Sequence, residues 1–174
     1  MSTDTSNEYT YLFGGSIDHG KLCLSVDGDA LIPEEITALL HVSPTESYRK
    51  GDPHRIPGRT RATGSWDFWT SDMSFHEKFL DERIDDFLAL FPSDPAVWES
   101  LSSRYNVVLH VVCFMKTWNR EFNFPRALVK KLALHCVDIW FDIYDDREEE
   151  PNKAPDSTRA AERGVDSHAL PING

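Results

Sequence analysis

An apolar strand followed by an apolar-faced helix occurs twice in this chain, about ninety residues apart, and that repeat most constrains the fold. Residues 22–26, Leu-Cys-Leu-Ser-Val, alternate as a strand does, and residues 32–42 follow with Pro33, Ile36, Leu40 and Val42. Residues 107–115 form a second apolar run, and residues 124–134 follow it with Pro125, Leu128, Leu132 and Leu134. Setting Pro33 against Pro125 puts Ile36 opposite Leu128, Leu40 opposite Leu132 and Val42 opposite Leu134, the spacing of one helix face. Two variants of one strand, helix, strand unit are expected.

Between them lie a long Gly, Pro and Arg-rich loop over residues 48–64 and an aromatic strand, Ser65-Trp66-Asp67-Phe68-Trp69-Thr70. Ser74 with Glu77 three residues on has the spacing of a capping box. Phe75, Phe79, Leu80, Ile84, Phe87, Leu88 and Phe91 then recur at helical spacing up to Pro92, which predicts the longest helix of the chain. A shorter helix is expected over 94–103. Residues 107–115 are apolar on both faces, the pattern of a central strand. In the last strand, 136–144, Val137, Ile139, Phe141 and Ile143 alternate with Cys136, Asp138, Trp140, Asp142 and Tyr144. One sheet face is therefore core and the other half polar, so helices are expected on one side only. The fold class is α+β: a two-layer sandwich with a four- to five-stranded mixed sheet, its two strand-helix-strand halves joined by the long helix.

The 174 residues are expected to form one domain, long enough to bury about 70% of its unfolded surface. Residues 1–8 read as a disordered start, 9–13 as a short strand and 147–174 as an acidic tail too polar to fold, which bounds the domain at 9–146. No apolar run reaches the roughly 20 residues of a membrane span, and the first residues lack the basic and apolar parts of a signal peptide, so a cytoplasmic location is expected. Cys23, Cys113 and Cys136 are odd in number and each lies in an apolar stretch, the pattern of reduced, buried thiols. No pair of them, and no pair of histidines, has metal-ligand spacing, and no cofactor motif is present. A net charge of -11 argues against nucleic acid and for a basic partner.

In order along the chain stand Leu31-x-Pro33-Glu34-Glu35-Ile36-x-x-Leu39-Leu40, then Arg49-Lys50-Gly51-Asp52, Gly64-Ser65-Trp66, a long helix, and Val137-Asp138-Ile139-x-x-Asp142-Ile143-Tyr144. That series resembles the bacterial domain-of-unknown-function family 4279 over residues 20–146. The resemblance implies a compact α/β domain and brings no catalytic residues with it. At position 41 this chain has histidine where the family has glycine after the Leu-Leu pair, so a differently built helix end is expected there.

Two constellations carry candidate chemistry. The loop over 49–61 holds Arg49, Lys50, Arg55, Arg59 and Arg61, five of the eighteen basic residues, and offers donors to an anionic small molecule, or else ties itself to neighbouring carboxylates. The second is the non-core sheet face, where alternation gathers Asp67, Trp69, Asp138, Trp140, Asp142 and Tyr144. Asp138 and Asp142 are about 13 Å apart at about 3.3 Å per residue, too far for an acid and base acting on one bond. Aromatics among acids suit a partner surface, the rings anchoring and the charges steering. The acidic residues of the long helix, Glu77, Asp81, Glu82, Asp85 and Asp86, read as its solvated face. The expectation is a small, acidic, non-catalytic binding protein, of the immunity or antitoxin type, that blocks a basic protein. The alternative is an enzyme or sensor using the loop for an anion. A third reading is a domain whose sheet face pairs with its own copy.

Overall fold

The computed structural model describes residues 15–146. The expected disordered start, the strand over 9–13 and the tail over 147–174 lie outside the described residues. Strand β1, His19–Gly28, leads to helix α1, Pro33–Leu40, whose first turn carries Pro33, Glu34 and Glu35. Proline loses nothing there, and the two carboxylates complement the positive end of the helix. Strands β2, Glu46–Tyr48, β3, Gly64–Trp69, and β4, Met73–Ser74, come next. Helices α2, Leu80–Leu88, and α3, Pro95–Ser102, precede the central strand β5, Asn106–Met115. Helix α4, Arg126–Leu134, and strand β6, Asp138–Asp145, complete the order.

The sheet is mixed, in the order β2-β3-β1-β5-β6, with the short β4 paired to the start of β1. Strand β3 is antiparallel to both β1 and β2, so β2 runs parallel to β1. Strand β6 is parallel to its neighbour β5. Both halves of the repeat are thus a strand, a helix and a parallel return strand. They differ in that β3 is inserted between β1 and β2. The paired helix positions behave alike: Ile36 and Leu128 are buried, as are Leu40 and Leu132. Val42 and Leu134 do not, since Leu134 is exposed at the end of α4.

One core cluster joins Leu22, Leu24 and Val26 of β1, Trp66 of β3, and Val107, Leu109, Val111 and Cys113 of β5 to buried residues from all four helices. Every strand residue in it lies on the same sheet face, as the register requires. Trp66 donates its indole N–H to the Thr37 hydroxyl at 3.0 Å, fixing α1 on β3. Phe68, Phe87, Phe91 and Trp98 meet in a chain of tilted and edge-on ring contacts that ties β3 to α2 and α3.

Four expectations are corrected. The helix predicted from Ser74 as the longest of the chain begins at Leu80 and ends at Leu88, no longer than α4, and its N–H-to-carboxylate contact runs from Phe79 to Glu82 at 3.0 Å. Ser74 is instead paired with His19, and the Phe75 N–H bonds to the Asp18 carbonyl, because the edge of β1 takes up the backbone groups that a helix needs. Phe79, placed on the apolar face, is exposed. Cys136 is exposed, since the chain leaves α4 there with φ 48° to enter β6. Ile143 is 51% exposed because β6 is the outermost strand and the core cluster stops short of its end.

Candidate functional site

Pairing register arranges the outward side chains in rows across the strands. Glu46, Asp67, Ser25, Val108 and Asp138 form one row. Trp69, Cys23, His110 and Trp140 form the next, followed by Lys21, Val112 and Asp142, and then His19, Phe114 and Tyr144. The six residues predicted to share the non-core face therefore do share it. Trp140 is 58% exposed, Tyr144 52% and Trp69 39%. Among the described residues no helix packs on this side, since the buried residues of all four join the opposite face. The rings are ordered by one another: His110 meets Trp140 edge-on at 5.7 Å, and Phe114 stacks between His19 at 4.9 Å and Tyr144 at 5.3 Å.

The acids of this face are of two kinds. Asp138 and Asp142 are exposed on β6. Asp67 is drawn into a network, accepting from the Ser65 hydroxyl at 2.9 Å, while the Ser25 hydroxyl lies 2.5 Å from Asp67 and 3.0 Å from Asp27. A single hydroxyl hydrogen serves one of those two carboxylates, so the arrangement is fully bonded when the other acid carries a proton. Burial pushes the Asp67 carboxyl up, against the pull of Ser25 and Ser65. Three strand spacings of about 4.8 Å separate Asp67 from Asp138, about 14 Å, so these two do not act on one bond.

The basic loop reaches the same face. Arg55 and Arg61 both bond Glu46 at 3.0 Å, and the Arg61 guanidinium lies 3.8 Å from the centre of the Tyr48 ring. Arg49 bonds Glu34 at 2.8 Å and Lys50 pairs with Asp29. The two constellations thus meet at Glu46, and four of the five loop cations already face carboxylates. An incoming anion has to compete with them.

The chain matches the family described as Domain of unknown function (DUF4279) over residues 19–146. It belongs to that family. No curated protein and no solved structure matches it. At position 41 of this DUF4279 domain, where a differently built helix end was expected, His41 takes φ 58°, the left-handed conformation glycine adopts freely, and its N–H bonds to the Thr37 carbonyl at 2.9 Å.

Sequence reasoning missed the middle of the DUF4279 sheet face. Cys23 and His110 stand directly opposite each other, a juxtaposition visible only through register. It does not make a nucleophile, because Cys23 is fully buried and burial pushes its thiol far above the ordinary range, leaving no thiolate. Asp27, Ser25 and Glu46 were also missed, each needing the β2-β3-β1 order to come together. A separate cleft of about 470 Å³ lies beside the start of α2, between Phe79 and Phe122, with Asp81 and Glu121 among its lining residues. Behind it the buried Asp18 carboxylate takes two bonds from Arg120, at 2.8 and 2.9 Å, which hold its pKa at about 2.

Proposed function

We propose that this protein is a small, acidic, non-catalytic binding protein that docks a basic protein on the outer face of its sheet, in the manner of an immunity or antitoxin-type inhibitor. The observation that carries the reading is the shared face of Trp69, Trp140 and Tyr144, all well exposed, set among Asp67, Asp138 and Asp142. Exposed tryptophans in one patch mark contact surfaces, and the acids around them select a cationic partner. The net charge of -11 agrees in sign. A role without chemistry is supported by the buried, neutral Cys23 thiol and by the distance between Asp67 and the β6 acids.

The test is recovery of the full-length protein from its own host and identification of what accompanies it. A stoichiometric basic protein is expected. Asp138→Lys with Asp142→Lys should slow its association, because exposed charge acts on the encounter, and Trp140→Ala should speed its dissociation, as loss of an anchor does. Unchanged kinetics in a folded double-lysine variant would remove this face as the working surface.

A further inference from the structure

Strand β6 ends the sheet on one side, and among the described residues no strand pairs along its outer edge. The opposite end of the sheet is β2, only three residues long, whereas β6 runs for eight. A long open edge presents a row of unpaired backbone groups on which another chain can be laid. The parallel ladder identifies these groups. The Asp146 N–H bonds to the Met115 carbonyl at 2.9 Å, so the even-numbered residues turn their backbone groups toward β5. By the two-residue period of a strand, the N–H and C=O groups of Ile139, Phe141 and Ile143 turn outward. Apolar side chains stand open on both sides of this edge, Trp140 and Tyr144 on the outer face and Ile143 on the core face. Asp138 and Asp142, also exposed, alternate with the two outer rings, and among the described residues neither takes an ion pair.

The geometry points to strand addition as the mode of docking: an extended basic segment of the partner pairs with β6 and becomes the next strand of the sheet, antiparallel because that pairing is slightly the more stable. This rests on the reading above that the partner is basic and meets the β6 side chains, and it gives the form the partner takes. Backbone bonds to Ile139, Phe141 and Ile143 hold the segment without regard to its sequence. Preference comes from the side chains, since residues directly opposite on two strands have Cβ atoms about 4.5 to 5.5 Å apart. Lysines or arginines four residues apart then fall opposite Asp138 and Asp142, with a residue covering Trp140 between them. The alternate positions meet Ile139, Phe141 and Ile143 and are apolar. A second copy of this chain suits the edge less well. Joined edge to edge about a two-fold axis, two β6 strands bring the Asp138 and Asp142 of both copies onto one face with no cation between them.

The experiment uses the full-length protein and two labelled synthetic peptides of about nine residues, enough at about 3.3 Å per residue to span β6. One alternates lysine and threonine on one face with valine and isoleucine on the other. The second has the same sequence with its interior amides N-methylated, which keeps charge and side chains and removes the backbone donors. Fluorescence anisotropy should show the first peptide binding at least about tenfold tighter than the second. Amide exchange followed by NMR should show it slowing Ile139, Phe141 and Ile143 at least about tenfold, and Trp140 and Asp142, already bonded to β5, far less. Asp138→Lys with Asp142→Lys should weaken the first peptide about tenfold, whereas Glu77→Lys with Glu99→Lys should leave it within about twofold. Equal affinity for the two peptides, or equal slowing of the two sets of amides, overturns strand addition and leaves the outer face, whose own test is the kinetics of the co-purified partner. No binding of either peptide overturns the basic strand. So do outward amides already protected without peptide, which would mean that a second copy or another segment of the chain holds the edge.

Discussion

Burial makes Asp67 a weaker acid than a free aspartate, against the pull of the serine hydroxyls it accepts from, and this has a measurable consequence. Its folded pKa is raised above 3.8, so the folded state holds a proton that the unfolded chain releases. The stabilisation is complete below pH 3.8 and is lost as pH rises through the raised value. Asp67→Asn supplies a permanent donor to Ser25 while keeping an acceptor for Ser65. Thermal melts should therefore place this variant above the parent at neutral pH, with the difference closing toward pH 4. A second residue-scale prediction concerns His41, held at φ 58°. L-residues resist that conformation by about 1 to 2 kcal/mol, part of which glycine returns through its freer unfolded chain. His41→Gly should raise stability by about 0.5 to 1 kcal/mol in a urea titration.

At the scale of elements, the phase of α2 is tested by neighbours on opposite sides. Phe87 is buried against Phe68 and Phe91, so Phe87→Ala should cost about 3 to 5 kcal/mol. Asp86 makes an exposed pair with Lys78, so Asp86→Ala should cost under about 1 kcal/mol. Equal costs in denaturant melts would show the helix turned the other way. The junction of β1 and β5 is tested at Gly20, where an added Cβ would stand 2.0 Å from the Val112 carbonyl oxygen and 2.9 Å from the Phe75 ring. Gly20→Ala should destabilise by about 1 to 3 kcal/mol and speed amide exchange around residues 20 and 112. Helix phase, the central place of β5 and the outward set on β3 and β6 were legible because each rests on a local period. The start of α2 was not, because the spacing of Ser74 and Glu77 is local while the edge of β1 that captures residues 73–74 is distant. The Asp67 network was illegible for the same reason, needing β1 and β3 in register, and so was the meeting of the Arg loop with the acidic face.

For the molecule as a whole, two histidines set opposite pH limbs. Burial lowers the pKa of His135, so its contribution is present above pH 6.5 and is lost as pH falls through the lowered value. His19 bonds the Asp146 carboxylate at 3.1 Å and Asp72 at 3.0 Å, which raises its pKa, so its contribution is full below pH 6.5 and is lost as pH rises through the raised value. These two terms run in opposite directions, and His19→Gln should flatten the alkaline limb of a melting-temperature profile while leaving the acid limb. The His19 contact has another consequence. Residues 19 and 146, which bound the DUF4279 match, are joined by one imidazole, so the two ends of the matched segment lie side by side, with Ile17 and Asp18 packed just before them. A unit with coincident ends can be set into a loop of a host protein, or cut and rejoined in a new order, without stretching either backbone. Grafted in that way, its outer sheet face would travel with it intact.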